Sequence, residues 1–183
     1  MISFSQYLTE AIETYYHASD HKISKFDLDH LGTGTNIDQE GPGIYLTNSL
    51  DDARKYGKYI YHVRVKFAKS RMMPDKKRFG YDTIRRLINI SPEKDDALTN
   101  WDENPARALD AAVTNILDSY GPDEYREAME AVWFDFYHDS AKAFLSKMRV
   151  WGWDGFTIDR GNGVKHLICF NPDILKIVET EER

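Results

Sequence analysis

The chain reads as an α+β protein. Apolar residues alternate at period two towards both ends, they recur at helical spacing through the middle, and strong turn signals separate the two patterns. Its 183 residues suit one ordinary domain, one that buries about 70% of the surface its unfolded chain would expose. With 42% hydrophobic and 13% aromatic residues, it is not a disordered chain.

The elements follow in order. Ile2, Phe4, Tyr7, Leu8, Ala11 and Ile12 recur at spacings of three and four, which predicts a short amphipathic helix over residues 1–13. Thr14 to His17 is aromatic and β-favouring, and predicts a strand ending at His17, Ala18 and Ser19. Residues 20–41 are polar, carry Gly32 and Gly34, and predict a loop long enough to be of functional type. Ile44 to Thr47 reads as a strand. Asn48 or Ser49 then caps a short helix with Asp51 and Asp52 in its first turn and Gly57 beyond its end. Tyr59, Tyr61, Val63, Val65 and Phe67 alternate as a half-buried strand does.

The middle is helical, and an insert is expected over about residues 82–149. Asn104-Pro105 is an N-cap followed by proline at the first helical position, and Ala108, Leu109, Ala112, Val113, Ile116 and Leu117 form the inner face of the helix that follows. After Gly121-Pro122 a long helix is expected from Asp123, with Tyr125, Met129, Val132, Trp133, Phe136, Ala143, Phe144 and Met148 facing inward. Strands return at residues 156–159 and 164–170. Between them Arg160-Gly161-Asn162-Gly163 signals a hairpin. Asn171-Pro172 ends that strand, and residues 174–178 suit a sheet edge.

Charge is distributed unevenly. The net charge is −6, yet residues 91–139 hold 13 acids against three bases, a local net of −10. Bases gather between Lys66 and Arg86, a patch that suits phosphates or an acidic partner but equally a solvated face. The overall acidity disfavours nonspecific nucleic-acid binding. No apolar run reaches the roughly 20 residues of a membrane span, and a soluble, cytosolic protein is expected.

Several chemistries are excluded by absence of their motifs. Cys169 is the single cysteine, so there is no intramolecular disulfide and no thiolate metal cluster, and its place beside Leu167 on an apolar strand suits burial rather than nucleophilic attack. His17 and His21 stand four apart across a strand end with no Glu after His17, which is not a zinc-protease pattern, and no metal site is expected. Neither a Walker loop nor the glycine fingerprint of a Rossmann dinucleotide site is present.

What remains is an ordered constellation: Tyr16-His17-Ala18-Ser19, Gly43-Ile44-Tyr45-Leu46-Thr47, Ala53-Arg54-Lys55-Tyr56-Gly57, Trp153-Asp154-Gly155-Phe156 and Cys169-Phe170-Asn171-Pro172-Asp173. In order and spacing it resembles the ADP-ribosyltransferase superfamily, and most nearly its small members from phages and mobile elements. The resemblance runs from Tyr16 to Val178 around a variable helical middle. It implies a pair of packed β-sheets with a helical insert, a single such domain over residues 14–183, and NAD as substrate without a metal. It implies that His17 bonds the adenosine ribose, that the backbone of Ala18 grips the nicotinamide amide, that Tyr45 stacks on nicotinamide, and that Ser19 assists; Tyr56 falls in the same set. Alanine stands at 18 where the family more often has glycine, which backbone contacts tolerate.

The family's late-strand glutamate is missing, its place being held by Lys165 or His166. Two candidates remain for the catalytic role, Asp159 from the neighbouring strand and His166 itself. The acceptor implied is a host macromolecule, a protein first and a nucleic acid second. An RNA 2′-phosphotransferase-like enzyme using His17, His166 and Arg54 or Arg160 is an alternative. Another is an inactive module that binds through its acidic helices. Finally, Met1 to Ala11 resembles the leader of phage internal head proteins, cut after Glu10 by a maturation protease. That implies packaging in a capsid, injection, and action in the bacterial cytoplasm.

Overall fold

The computed structural model describes residues 11–30, 41–67, 71–73, 79–120 and 125–183. In chain order the elements are β1 (Ala11–Ser19), β2 (Ile44–Thr47), α1 (Leu50–Ala53), β3 (Tyr59–Phe67), β4 (Met72–Met73), α2 (Tyr81–Asn89), α3 (Lys94–Leu98), α4 (Pro105–Ser119), α5 (Tyr125–Phe136), α6 (Ala141–Val150), β5 (Gly155–Asp159), β6 (Lys165–Cys169) and β7 (Leu175–Glu182). The α+β class is therefore the observed one. Among the described residues no helix is long and apolar enough to cross a membrane. The chain divides into two compact units: a sheet unit of Met1–His30, Gly43–Met73 and Met148–Arg183, and a helical unit of Leu31–Pro42 and Pro74–Lys147.

Among the described residues the seven strands of the sheet unit lie in one sheet, ordered β4-β5-β6-β2-β1-β3-β7. Only β4 and β5 run parallel; the other neighbours are antiparallel. The expectation of two packed sheets is corrected to one sheet with a weak seam at its centre. On one side of the seam β1 pairs with β3 along its whole length, from Ala11↔Phe67 to Ser19↔Tyr59. On the other, β2 pairs with β6 over four positions. Across the seam β1 and β2 share a single pair, Tyr16↔Thr47.

Because side chains alternate along strands, the register assigns each residue to a face. One face carries the core cluster of Tyr15, Ile44, Leu46, Tyr61, Val63, Val65, Leu167 and Cys169, all buried. Ile23, Phe26 and Leu28, the last in a 3-10 turn at Leu28–His30, pack over it. The opposite face carries one continuous register row, Ile158, His166, Thr47, Tyr16 and His62.

Local chemistry accounts for most boundaries. Ser49 caps α1, its Oγ accepting from the Asp52 amide at 3.2 Å. In the β5–β6 hairpin Gly161, Asn162 and Gly163 take φ of 81°, 53° and 79°, conformations that glycine and asparagine adopt most readily. The expected helix over residues 1–13 is contradicted at its end. Ala11, Ile12 and Glu13 pair with Phe67, Lys66 and Val65, since the long alternating β3 offers a ladder that a three-and-four spacing cannot outweigh. Residues 1–10, with the expected leader and its cleavage site, lie outside the described residues.

In the helical unit, Ile84, Leu87 and Ile88 of α2, Ala112, Val113 and Ile116 of α4, and Val132 and Phe136 of α5 are all buried. The long helix expected from Asp123 is two helices. After α5 the Tyr137 hydroxyl donates to Leu87 O at 2.6 Å, Asp139 N donates to Glu93 Oε2 at 3.3 Å, and Ser140 O accepts from the first turn of α6. These ties turn the chain between the two apolar stretches. Of the basic patch, Arg85 is paired with Asp110 at 3.1 Å, while Lys69, Lys76, Lys77 and Arg78 lie outside the described residues.

Candidate functional site

The seam between β1 and β2 opens at the residues that the motif reading singled out. Continuing the Tyr16↔Thr47 register would set His17 opposite Leu46 and Ala18 opposite Tyr45. Those pairs do not form, although β1 stays bonded to β3 on its other side. A side chain bridges the gap instead: His17 Nδ1 lies 2.7 Å from the carbonyl oxygen of Tyr45. A carbonyl only accepts, so Nδ1 carries the proton and Nε2 is left as an acceptor. Burial pulls the imidazole below its ordinary pKa range and the Tyr45 carbonyl offsets this in part, so the ring is neutral at physiological pH.

The surroundings hold His17 in place. The Phe26 ring meets it edge-on at 5.2 Å, and the Tyr61 ring lies at 6.1 Å. Tyr61 also anchors the covering segment, since its hydroxyl donates to His21 O at 3.2 Å and accepts from Ile23 N at 2.8 Å. Ser19 Oγ accepts from His21 N at 3.1 Å, which shapes the turn leaving β1. Gly57 lies against the same strand end, where a Cβ would stand 2.6 Å from the Ser19 backbone.

Alternation puts the His17 and Tyr45 side chains on opposite faces. His17 lies on the core-cluster face, and Tyr45 shares the other with Ile168, its register partner. The bond from His17 Nδ1 to the Tyr45 carbonyl joins the two residues. Tyr56 is 47% exposed in the turn after α1.

The two proposed catalytic residues are not brought together. Asp159 is exposed, and its Oδ1 accepts from Gly161 N at 2.8 Å as part of the hairpin turn. It pairs with Lys165, so its side chain leaves the sheet on the face opposite to His166. His166 makes a different partnership. Its Nε2 is 2.8 Å from Asp52 Oδ2, and its Nδ1 is 3.3 Å from Arg160 Nε. The guanidinium only donates, so Nδ1 accepts, and the ring proton lies on Nε2, pointing at Asp52. Asp52 also takes Lys55 Nζ at 3.0 Å and the Thr47 hydroxyl. Burial pushes its carboxyl upward, but the hydrogen bonds from Lys55, His166 and Thr47 outweigh that and hold it below its ordinary range. The sequence reading missed Asp52, taking it only as a first-turn acid of a short helix.

The late motifs have an architectural explanation. Asp154 is 1% exposed, with Oδ2 3.0 Å from Arg71 Nε and Oδ1 accepting from Asn171 Nδ2 at 2.9 Å. Asn171 Oδ1 in turn caps the 3-10 turn Pro172–Ile174. Gly155, at φ +157°, passes so close to Ile168 O that a Cβ would lie 2.3 Å from it. Cys169 is buried, and burial pushes its thiol up to about 12, with the Asn171 backbone opposing the rise and the neighbouring Asp154 adding to it. Among the described residues no group of three or more His, Cys, Asp or Glu side chains is placed to hold a metal ion. No protein-family model, no curated protein and no solved structure matches the chain.

Proposed function

We propose that the protein is an NAD-dependent ADP-ribosyltransferase acting on a macromolecule of a bacterial host. The observation that carries this reading is the opening of the β1–β2 seam on β1 at His17 and Ala18, where the pairing with β2 stops after Tyr16↔Thr47. Paired strands consume their backbone donors and acceptors; parted strands offer them to a ligand. An extended edge presents N–H and C=O groups together, which is what the primary amide of nicotinamide needs for recognition.

The side chains at the opening suit the rest of the dinucleotide. His17 Nε2 is an acceptor and the ring is neutral, as a bond from a ribose hydroxyl requires. The Tyr45 ring suits a cationic pyridinium, which an aromatic face attracts by about 1 kcal/mol or more. His17 and Tyr45 start from opposite faces, so a ligand meets both only by entering the opening itself. Ala18 contributes backbone, and Ser19 shapes the strand exit. The acceptor proposed first is a host protein, with nucleic acid second. Residency in a phage head and entry with the genome complete the reading.

The test is to incubate the purified protein and a bacterial lysate with tagged NAD, alongside the His17→Ala variant. Labelled protein or nucleic acid that disappears with the variant supports transfer and yields the acceptor. Absence of label, together with no NAD-dependent rise in melting temperature, overturns the reading.

A further inference from the structure

We propose that Asp52 and His166 form the proton-accepting pair of this reaction, with His166 Nδ1 taking the acceptor's proton and Asp52 positioning the ring. The inference rests on the ADP-ribosyl-transfer reading and answers its open point, the absence of a late-strand glutamate. Three observations converge on the pair.

The first is hydrogen-bond direction. Asp52 Oδ2 holds the Nε2 proton at 2.8 Å, so the basic lone pair lies on Nδ1, turned away from the carboxylate. A general base needs that form. The second is the fixing of Asp52. It is 9% exposed, and Lys55, Thr47 and His166 all bond its carboxylate, so its oxygen is held on the histidine. By contrast, what faces Nδ1 is the exposed Arg160, at the long distance of 3.3 Å, on a hairpin loop.

The third is position. His166 pairs with Thr47, and Thr47 pairs with Tyr16, so His166 lies two strand spacings, about 10 Å, from β1 beside the opening. Tyr45 is two residues from Thr47 on the same face, a diagonal neighbour of His166 on the adjacent strand. The proposed base and the proposed nicotinamide platform thus share one face. The charged groups around His166 are Asp52 and Lys55 from α1 and its exit and Arg160 from the hairpin. Asp159 and Lys165 alternate to the other face.

In the step, the bond between the ribose C1′ and the nicotinamide nitrogen breaks, and its electron pair leaves with nicotinamide. The acceptor X–H forms the new X–C1′ bond, and its proton passes to His166 Nδ1 and then to water. With water as X–H, the products are ADP-ribose, nicotinamide and a proton.

The test follows nicotinamide release by the full chain from NAD in water. His166→Gln should lower kcat about 100-fold. Asp52→Asn should lower kcat about tenfold and leave KM for NAD within about twofold, and Asp52→Glu, which keeps a carboxylate, should restore part of the loss. A loss confined to kcat and partly rescued by the carboxylate is not expected of a structural tie. If the wild type turns over NAD while the Asp52 and His166 variants keep its kcat, the pair is structural and the inference falls alone. If the wild type neither binds nor cleaves NAD, the transferase reading and this inference fall together.

Discussion

Asp154 and Asp52 are both buried carboxylates of the sheet unit, 1% and 9% exposed, and each is held by several donors. Their partners differ in kind. Asp154 meets Arg71 and Asn171 through its side chain, while its backbone N and O bond Arg71 O at 2.9 Å and Phe170 N at 2.7 Å. Those bonds tie the start of β4, the start of β5 and the exit of β6 together, and the partner at the surface, Arg71, is a guanidinium that takes up no proton. Asp52 instead ends on a histidine whose second nitrogen faces an exposed arginine on a hairpin loop. A buried carboxylate whose partners take up no proton contributes architecture. One that hands its charge through an imidazole to the surface can contribute chemistry. Removing one member of such a set costs most where the remaining groups have no water to turn to.

The comparison predicts opposite outcomes for the two sites. Asp154→Ala should lose about 2–4 kcal/mol of stability, read by urea denaturation, because Asn171 is left buried without its acceptor. A loss below about 1 kcal/mol would break the contrast. Asp52→Asn, which keeps an oxygen for His166, should lose only about 1 kcal/mol in the same assay, while nicotinamide release suffers the larger loss described above.

His17 supplies a pH-dependent prediction. Its folded-state pKa lies below the unfolded value, so the unfolded chain binds a proton there that the folded chain does not. Stability from this group is complete above about pH 6.5 and declines as pH falls below it, until the folded pKa is passed. Melting temperature measured from pH 7.5 down to 5 should therefore fall less steeply for His17→Gln than for the wild type. Equal slopes would mean that the ring is not buried as described. The smallest effect concerns Cys169. With its thiol pushed up to about 12, it should resist alkylation at pH 8 in the folded protein and react once the chain is denatured. Rapid labelling of the native protein would contradict its burial.

The parts of this molecule that the sequence disclosed are local. Ser49 as a cap, the Gly161-Asn162-Gly163 hairpin and the alternation of β3 each follow from chemistry within a few residues. The break between α5 and α6 was not legible, because its cause is Tyr137 reaching Leu87 and Asp139 reaching Glu93, both more than 40 residues away. Nor was the strand at Ala11–Glu13, whose partner is the far end of β3. At the candidate site, ordered motifs singled out His17 and Tyr45, and a hydrogen bond joins the two. Asp52 was not, since an acid in a first helical turn has an ordinary explanation and its partner His166 lies 114 residues on. The late motifs were legible as motifs, but Asp154 and Asn171 bond to each other and form a joint.

The most direct test of the central claim is a titration of the isotopically labelled protein with NAD, followed by NMR at the His17 imidazole and the Ala18 and Ser19 amides. The account predicts saturable shifts confined to the β1–β2 opening and its neighbours, lost in His17→Ala while that variant stays folded. Shifts elsewhere, or none at millimolar NAD, would contradict it.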